Sequence, residues 1–315
     1  MENKMLGLVA SPVVFDGEHH TYHLNGNQLS GVTPIIAWLF PDTYKGIPQS
    51  VLSQAAANGT EVHKACEVYD SLRFMPEDEE LKNVVLQYEE LCKDLPMVTC
   101  SEYLVSDERY VASAIDKVLD DCSLADIKTT SKLHVANVQL QLSIYAYLFE
   151  LMNKGKQVPH LYAIWLPKPQ YGKPAIKEVD RIPAEFCERL IAAYVMGADP
   201  KPYVEELDMM GFKYEERKTG DVPEGVQPLV DELVIIKKQL DLLTEREKEL
   251  KSALLTCMES NGEQKWVGDN IQISYKGSYS RESVDTKALK ENEPALYEQY
   301  KKVSKVSASI TYKIL

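Results

Sequence analysis

Hydrophobic and polar positions switch period several times along this chain, and the switches mark its elements. Residues 13–33, VVFDGEHHTYHLNGNQLSGVT, alternate around Tyr22 and Leu24 and reach Asn25-Gly26, a dipeptide suited to a β-hairpin turn. Thr33-Pro34 reads as a helix cap with proline in the first turn, opening the apolar helix IIAWLF, which Pro41 ends. Residues 50–72 read as helical on either side of Asn58-Gly59, and residues 77–93 as an acidic amphipathic helix that packs along one side. From Met97 the period drops to two. VTCSEYLVS and ERYVASAIDKVL read as antiparallel strands around Asp107-Glu108, with LADIKTT a third. A helix over 134–151, a strand in HLYAIWLPK, an edge strand in EVDRIP and a helix in AEFCERLIAAYVMG complete an α/β core: a mixed sheet flanked by helices, spanning residues 1–200.

The pattern then breaks. Residues 201–226 are rich in proline, glycine and charge and read as a linker. The module from 227 to 315 opens on a long helix in which Leu233, Ile236, Leu240, Leu243, Leu250, Leu254 and Cys257 follow alternating three- and four-residue steps, interrupted by Glu247. One such seam is buried either by packing on the core or by self-association, and the sequence leaves both open. Gly262 stops the helix. KWVGDNIQISYKG predicts a hairpin turning at Gly268-Asp269-Asn270, ALKENEPALYEQYKK a short helix, and SASITYKIL a last strand, for an α+β C-terminal module.

Composition narrows the class. With 315 residues, 44% hydrophobic and 26% charged, the chain has the make-up of a globular protein with room for one good core and a smaller module. No apolar run approaches the roughly 20 residues of a membrane span, and the N-terminus lacks the pattern of a signal peptide, so a cytoplasmic protein is expected. The six cysteines (66, 92, 100, 122, 187, 257) form no CxxC pair, which argues against a zinc ribbon or a cysteine-ligated cluster and for reduced thiols. A net charge of −13 argues against a nonspecific nucleic-acid coat protein, though not against an enzyme with a local basic groove.

The chemistry concentrates between Ser113 and Tyr147. Asp116 ends one short apolar run; Asp126 and Lys128 lie two apart in the next, hence on one strand face. Hard divalent cations need only one or two protein carboxylates, and the backbone carbonyl of Ile127 could add a ligand. A lysine beside the metal can hold the attacking water and balance charge on a phosphate. The same D-x-K could equally be a surface ion pair, and the spacing leaves both readings open. Upstream, His63 and Glu67 share a helix face, again as a solvent-facing pair or as groups aimed at a metal. His19, His20 and His23, in a hairpin loop, read as solvated surface.

Four motifs in order carry a resemblance. Gly59–His63 (G-x-x-x-H), Ala114-Ile115-Asp116, Asp126-Ile127-Lys128 and Gln141–Tyr145 (Q-x-x-x-Y) resemble the pattern of the PD-(D/E)XK nuclease superfamily, in its RecB-like and phage-exonuclease branch. The approach N-G-x-x-L-x-x-V-T-P-I-I resembles that branch as well, and the likeness spans about residues 20–180. It implies a restriction-endonuclease-like core, metal ligation by His63, Asp116 and Asp126, Lys128 as catalytic lysine, and Gln141 and Tyr145 as positioning groups. Glu67 and Glu102 are further candidates. The implied cofactor is Mg²⁺ or Mn²⁺, with no iron–sulfur cluster.

The resemblance also implies a function: a phage-encoded nuclease in a bacterial host, processing duplex DNA ends into single strands for an annealing protein. Exonuclease and endonuclease share this chemistry, so the motifs do not choose between them. The competing expectation is an interaction protein on a nuclease fold, for which the acidic charge and the heptad helix argue.

Overall fold

The computed structural model describes residues 7–17, 19–41, 49–214, 222, 226–277, 280 and 283–302. The chain divides into two units, Met1–Pro228 and Leu229–Leu315.

The first unit begins with three short antiparallel strands, β1 (Val14–Asp16), β2 (Thr21–Leu24) and β3 (Asn27–Leu29). Leu24 pairs with Asn27 across a two-residue turn in which Asn25 (φ 51°) and Gly26 (φ 81°) are both left-handed, the geometry whose twist suits a hairpin. Helix α1 (Val32–Leu39) starts two residues earlier than its Thr-Pro signal suggests. Gly31 occupies the cap position, because Val32 is already drawn into the core with Ile35 and Leu39.

Helix α2 (Gln49–Leu72) corrects a second expectation, since it runs without interruption through Asn58-Gly59. A Cβ at Gly59 would stand 3.4 Å from Thr129 Oγ1, an ordinary contact distance, so the position faces Thr129 closely and has room for a small side chain without forming a turn. Helix α3 (Glu79–Cys92) is capped by Asp78, whose side chain accepts from the Leu81 N–H.

The central sheet has five strands in the order β4 (Val98–Ser106), β5 (Ala112–Leu119), β6 (Leu124–Lys128), β7 (Leu161–Trp165) and β8 (Ala175–Glu178). Only β6 and β7 run parallel; α4 (Val135–Met152) makes that crossover. The edge strand β8 lies upstream of the EVDRIP segment, ending where that segment begins. Alternation along β6 sorts the two cores. Leu124 joins the cluster containing α1, α4 and α5 (Ala184–Val195), whereas Ala125 and Ile127 join the one containing α2 and α3. Buried on both faces, the strand reads as an unbroken apolar run apart from Asp126 and Lys128.

Residues 201–209, expected as linker, form α6 (Lys201–Met209). Leu207 and Phe212 are buried, and Tyr214 stacks on Phe40 with ring centroids 3.7 Å apart, so this segment belongs to the α1 side of the core. Its high polar content hid two or three buried anchors.

The second unit is built on α7 (Gln227–Asn261), followed by the hairpin β9 (Lys265–Val267) and β10 (Gln272–Ser274). The expected single helix near the C-terminus is two, α8 (Thr286–Asn292) and α9 (Pro294–Tyr300), because Pro294 cannot continue a helix but suits a first turn. The last predicted strand lies outside the described residues. None of the six cysteines is joined in a disulfide. No described helix is long and apolar enough to cross a membrane.

Candidate active site

The site forms where β5 and β6 part. Their ladder consists of Lys117↔Ala125 and Val118↔Leu124. One residue further on, the strands no longer pair, and the Ile127 N–H donates instead to Asp116 Oδ2 at 2.7 Å. A side-chain carboxylate thus takes up a buried backbone donor that the separating strands would otherwise leave unsatisfied. The Ile127 side chain meanwhile is buried in the α2/α3 core.

Across the ladder on the other side, Glu102 lies between the pairs Ser101↔Lys117 and Tyr103↔Ile115, level with Asp116. Its φ is +52°, and among the described residues it is the one non-glycine residue inside a strand with a left-handed backbone. Such a conformation costs about 1–3 kcal/mol. The result is that His63 from α2, Glu102 from β4 and Asp116 from β5 present ligand atoms all within 4.8 Å of one another. His63 Nδ1 is 3.3 Å from Asp116 Oδ2.

A second string of polar groups runs along the α4 side. Lys128 Nζ stands 2.7 Å from Asp126 Oδ2 and donates to Gln141 Oε1 at 2.9 Å. Gln141 Nε2 in turn donates to the Tyr145 hydroxyl at 2.7 Å, which also accepts from Ser113 Oγ at 3.2 Å. Gln141 and Tyr145 are one turn apart on α4, which explains how a single helix face holds both. Asp126 is 1% exposed, whereas the Lys128 and His63 side chains keep about a quarter of their surface in solvent, so the site opens on their side.

These environments push the acids in opposite directions. Burial would raise Asp116, but His63, Lys128 and the Ile127 N–H outweigh it, and the carboxyl falls below its ordinary range. Burial raises Asp126, against the pull of Lys128 and with the Asp116 charge adding to the rise. Burial works against a charged His63; the Asp116 carboxylate more than offsets it, so the imidazole is raised. Glu102, the exposed member of the trio, is pushed up to about 7, by the partial desolvation of its carboxyl and then by the Asp116 charge. The Tyr145 hydroxyl is held well above its usual value by burial, with Asp126 and Asp116 adding to it, and stays neutral.

Of the residues singled out in the sequence, His63, Asp116, Asp126, Lys128, Gln141 and Tyr145 come together. Glu102 stands as a full member of the metal-competent trio. Glu67 does not: its carboxylate pairs with Lys64 at 2.7 Å, although its charge still contributes to raising Glu102. His19 binds Asp16 at the surface, and the half-buried His23 pairs with Thr21.

Sequence reasoning missed the polar group behind the trio. Lys117, with 2% of its side chain exposed, pairs with Asp70 Oδ2 at 2.6 Å and donates to Ser101 Oγ at 3.0 Å. Tyr88 donates to the same Asp70 oxygen at 2.8 Å, and the lysine ammonium lies 5.5 Å from the Tyr88 ring centroid. A lysine inside a strand buried along nearly its whole length was the available signal. No protein-family model matches this chain, and no curated protein matches it.

Proposed function

We propose that this chain is a metal-dependent DNA nuclease that hydrolyses phosphodiester bonds, with an exonuclease acting on duplex ends as the form favoured by its likeness to the phage branch. The observation that carries the reading is one of convergence. Residues spread from 63 to 145, on two helices and three strands, meet as a His/Glu/Asp trio beside an Asp–Lys–Gln–Tyr string. An accidental D-x-K ion pair on a surface strand would need none of the other members.

The donor set fits a hard divalent ion. His63, Glu102 and Asp116 offer one nitrogen and two carboxylates at ligand spacing. Asp126 supplies the further oxygen the resemblance assigns, and the Ile127 carbonyl the one its place beside Asp126 offers. Mg²⁺ or Mn²⁺ bound there supplies Lewis-acid polarisation of the phosphodiester and a more acidic water. The remaining roles belong to the chain. Lys128, held between Asp126 and Gln141, orients water and offsets negative charge gathering on the phosphate. Gln141 fixes the lysine, and Tyr145 fixes Gln141 from a buried, neutral position.

The test is incubation with end-labelled linear, nicked and circular duplexes in Mg²⁺ or Mn²⁺. An exonuclease degrades the linear form and spares the covalently closed circle; an endonuclease cuts both. Absence of hydrolysis on every DNA, or full activity after Asp126→Ala or Lys128→Ala, refutes the proposal.

A further inference from the structure

In the second unit, α7 is long and amphipathic, and the described residues of that unit leave its apolar stripe largely uncovered. Its apolar stripe is assigned a heptad register by its own spacing: Leu233, Leu240 and Leu254 take one seam position (a), with Glu247 among them, and Leu229, Ile236, Leu243, Leu250 and Cys257 the other (d). Leu229, Leu233, Ile236, Leu240, Leu243 and Leu250 are each between 37% and 66% exposed. Among the described residues of this unit, Met258 is the one hydrophobic side chain in the buried class. A helix of 35 residues with so little burial of its own gains its stability from whatever covers the stripe.

We infer that the stripe is covered by a second copy of this chain, in a parallel, in-register two-stranded coiled coil formed by α7. The flanking charges select that occupant. In a parallel pair, Glu232 of one helix faces Lys237 of the other, an opposite-charge contact. Glu247, the single charged residue in the seam, is paired with Lys251 of its own helix at 2.6 Å. In the parallel register Arg246 of the opposite helix flanks it as well. Two seam carboxylates are therefore bracketed by four cations, and each Arg246 among them is also held by Glu249 of its own helix at 2.8 Å. The Arg246–Lys251 contact between helices, repulsive by itself, becomes part of that network. An antiparallel pair centred on this layer would instead set Arg246 against Arg246 and separate the two Glu247 layers from that bracket. A single polar seam residue of this kind fixes register and strand number at some cost in stability.

Cys257 makes the register testable. It is at a seam position and is the one exposed cysteine of the six. In the parallel pair the two Cys257 residues lie opposite each other, within the Cα separation of about 4.4–6.8 Å that a disulfide bridges. In an antiparallel pair they are at opposite ends. The experiment uses the full chain at micromolar concentration, in light scattering and under mild oxidation with diamide followed by non-reducing electrophoresis. The expected result is a particle of twice the chain mass and a cross-linked dimer that Cys257→Ser abolishes. Leu240→Glu/Leu243→Glu, two exposed positions that leave the first unit untouched, is expected to return the particle to monomer mass and to reduce cross-linking at least tenfold. A monomer at all concentrations overturns the proposal, as does a dimer that Leu240→Glu/Leu243→Glu leaves intact. A trimer, or a dimer without the Cys257 cross-link, overturns the parallel pairing. A different protein found on the stripe of a monomeric chain also overturns it.

Discussion

His63 Nδ1 and Asp116 Oδ2 stand 3.3 Å apart, and each shifts the other's protonation: the carboxylate raises the imidazole, and the imidazole lowers the carboxylate. In metal-free protein a raised imidazole contributes stability that is fully present below its unfolded value of about 6.5 and is lost as pH rises through the folded value. The melting temperature of the parent in a chelator should therefore exceed that of His63→Ala by more at pH 5.5 than at pH 8.5. An equal difference at both pH values contradicts the pairing.

Divalent metal should stabilise the folded chain. Binding to the native state contributes about 2.7 kcal/mol at a hundredfold excess over Kd. Thermal melts with Mn²⁺ should show this for the parent and lose most of it in Asp116→Asn.

Glu102→Gly separates strain from ligation. Glycine adopts φ +52° without penalty, so the metal-free variant should gain about 1 kcal/mol or more relative to Glu102→Ala. Both variants should lose metal-induced stabilisation relative to the parent. Chemical denaturation with and without Mn²⁺ reads both quantities.

Gly59 sits mid-helix with Thr129 Oγ1 at the edge of contact. Gly59→Ala should stabilise by about 0.5–1 kcal/mol through helix propensity and leave hydrolysis intact. Gly59→Leu should push α2 away from Thr129, the neighbour of Lys128, and reduce hydrolysis about tenfold or more by the sensitivity of catalysis to misplacement.

Removing one member of the buried Lys117–Asp70 pair should be costlier than removing both. Lys117→Met alone leaves Asp70 with one partner fewer and should destabilise by about 3 kcal/mol, while Lys117→Met/Asp70→Leu should recover a large part. Urea denaturation of the two singles and the double measures the coupling.

Local rules made much of the fold legible. Asn25-Gly26 announces its turn, and the strands around Asp107 and the helix carrying Gln141 follow from period alone. What period cannot register is tertiary approach. Asn58-Gly59 reads as a break because glycine disfavours helices, whereas the helix continues and carries Gly59 past Thr129. Residues 201–226 read as linker because the few apolar side chains among them, Leu207 and Phe212, join a core cluster shared with α1 and α4 that no local window contains. The site followed the same division. His63, Asp116, Asp126, Lys128, Gln141 and Tyr145 could be named from ordered motifs, but the standing of Glu102 over Glu67 depends on a left-handed backbone and on Lys64. Asp70 and Lys117 could not be paired at all, since 47 positions of sequence separate them.

That pair has a geometric effect on the site. Asp116 and Lys117 are consecutive in β5; their partners His63 and Asp70 are two turns apart on α2. The helix is thus keyed to the strand by two pins, one at the solvent edge and one in the dry interior. A slide of one turn would disengage both, and a rotation would release one. A slide of α2 along the strand therefore loses the His63 side of the site and the buried Lys117–Asp70 pair together, so loss of metal affinity and loss of stability should coincide.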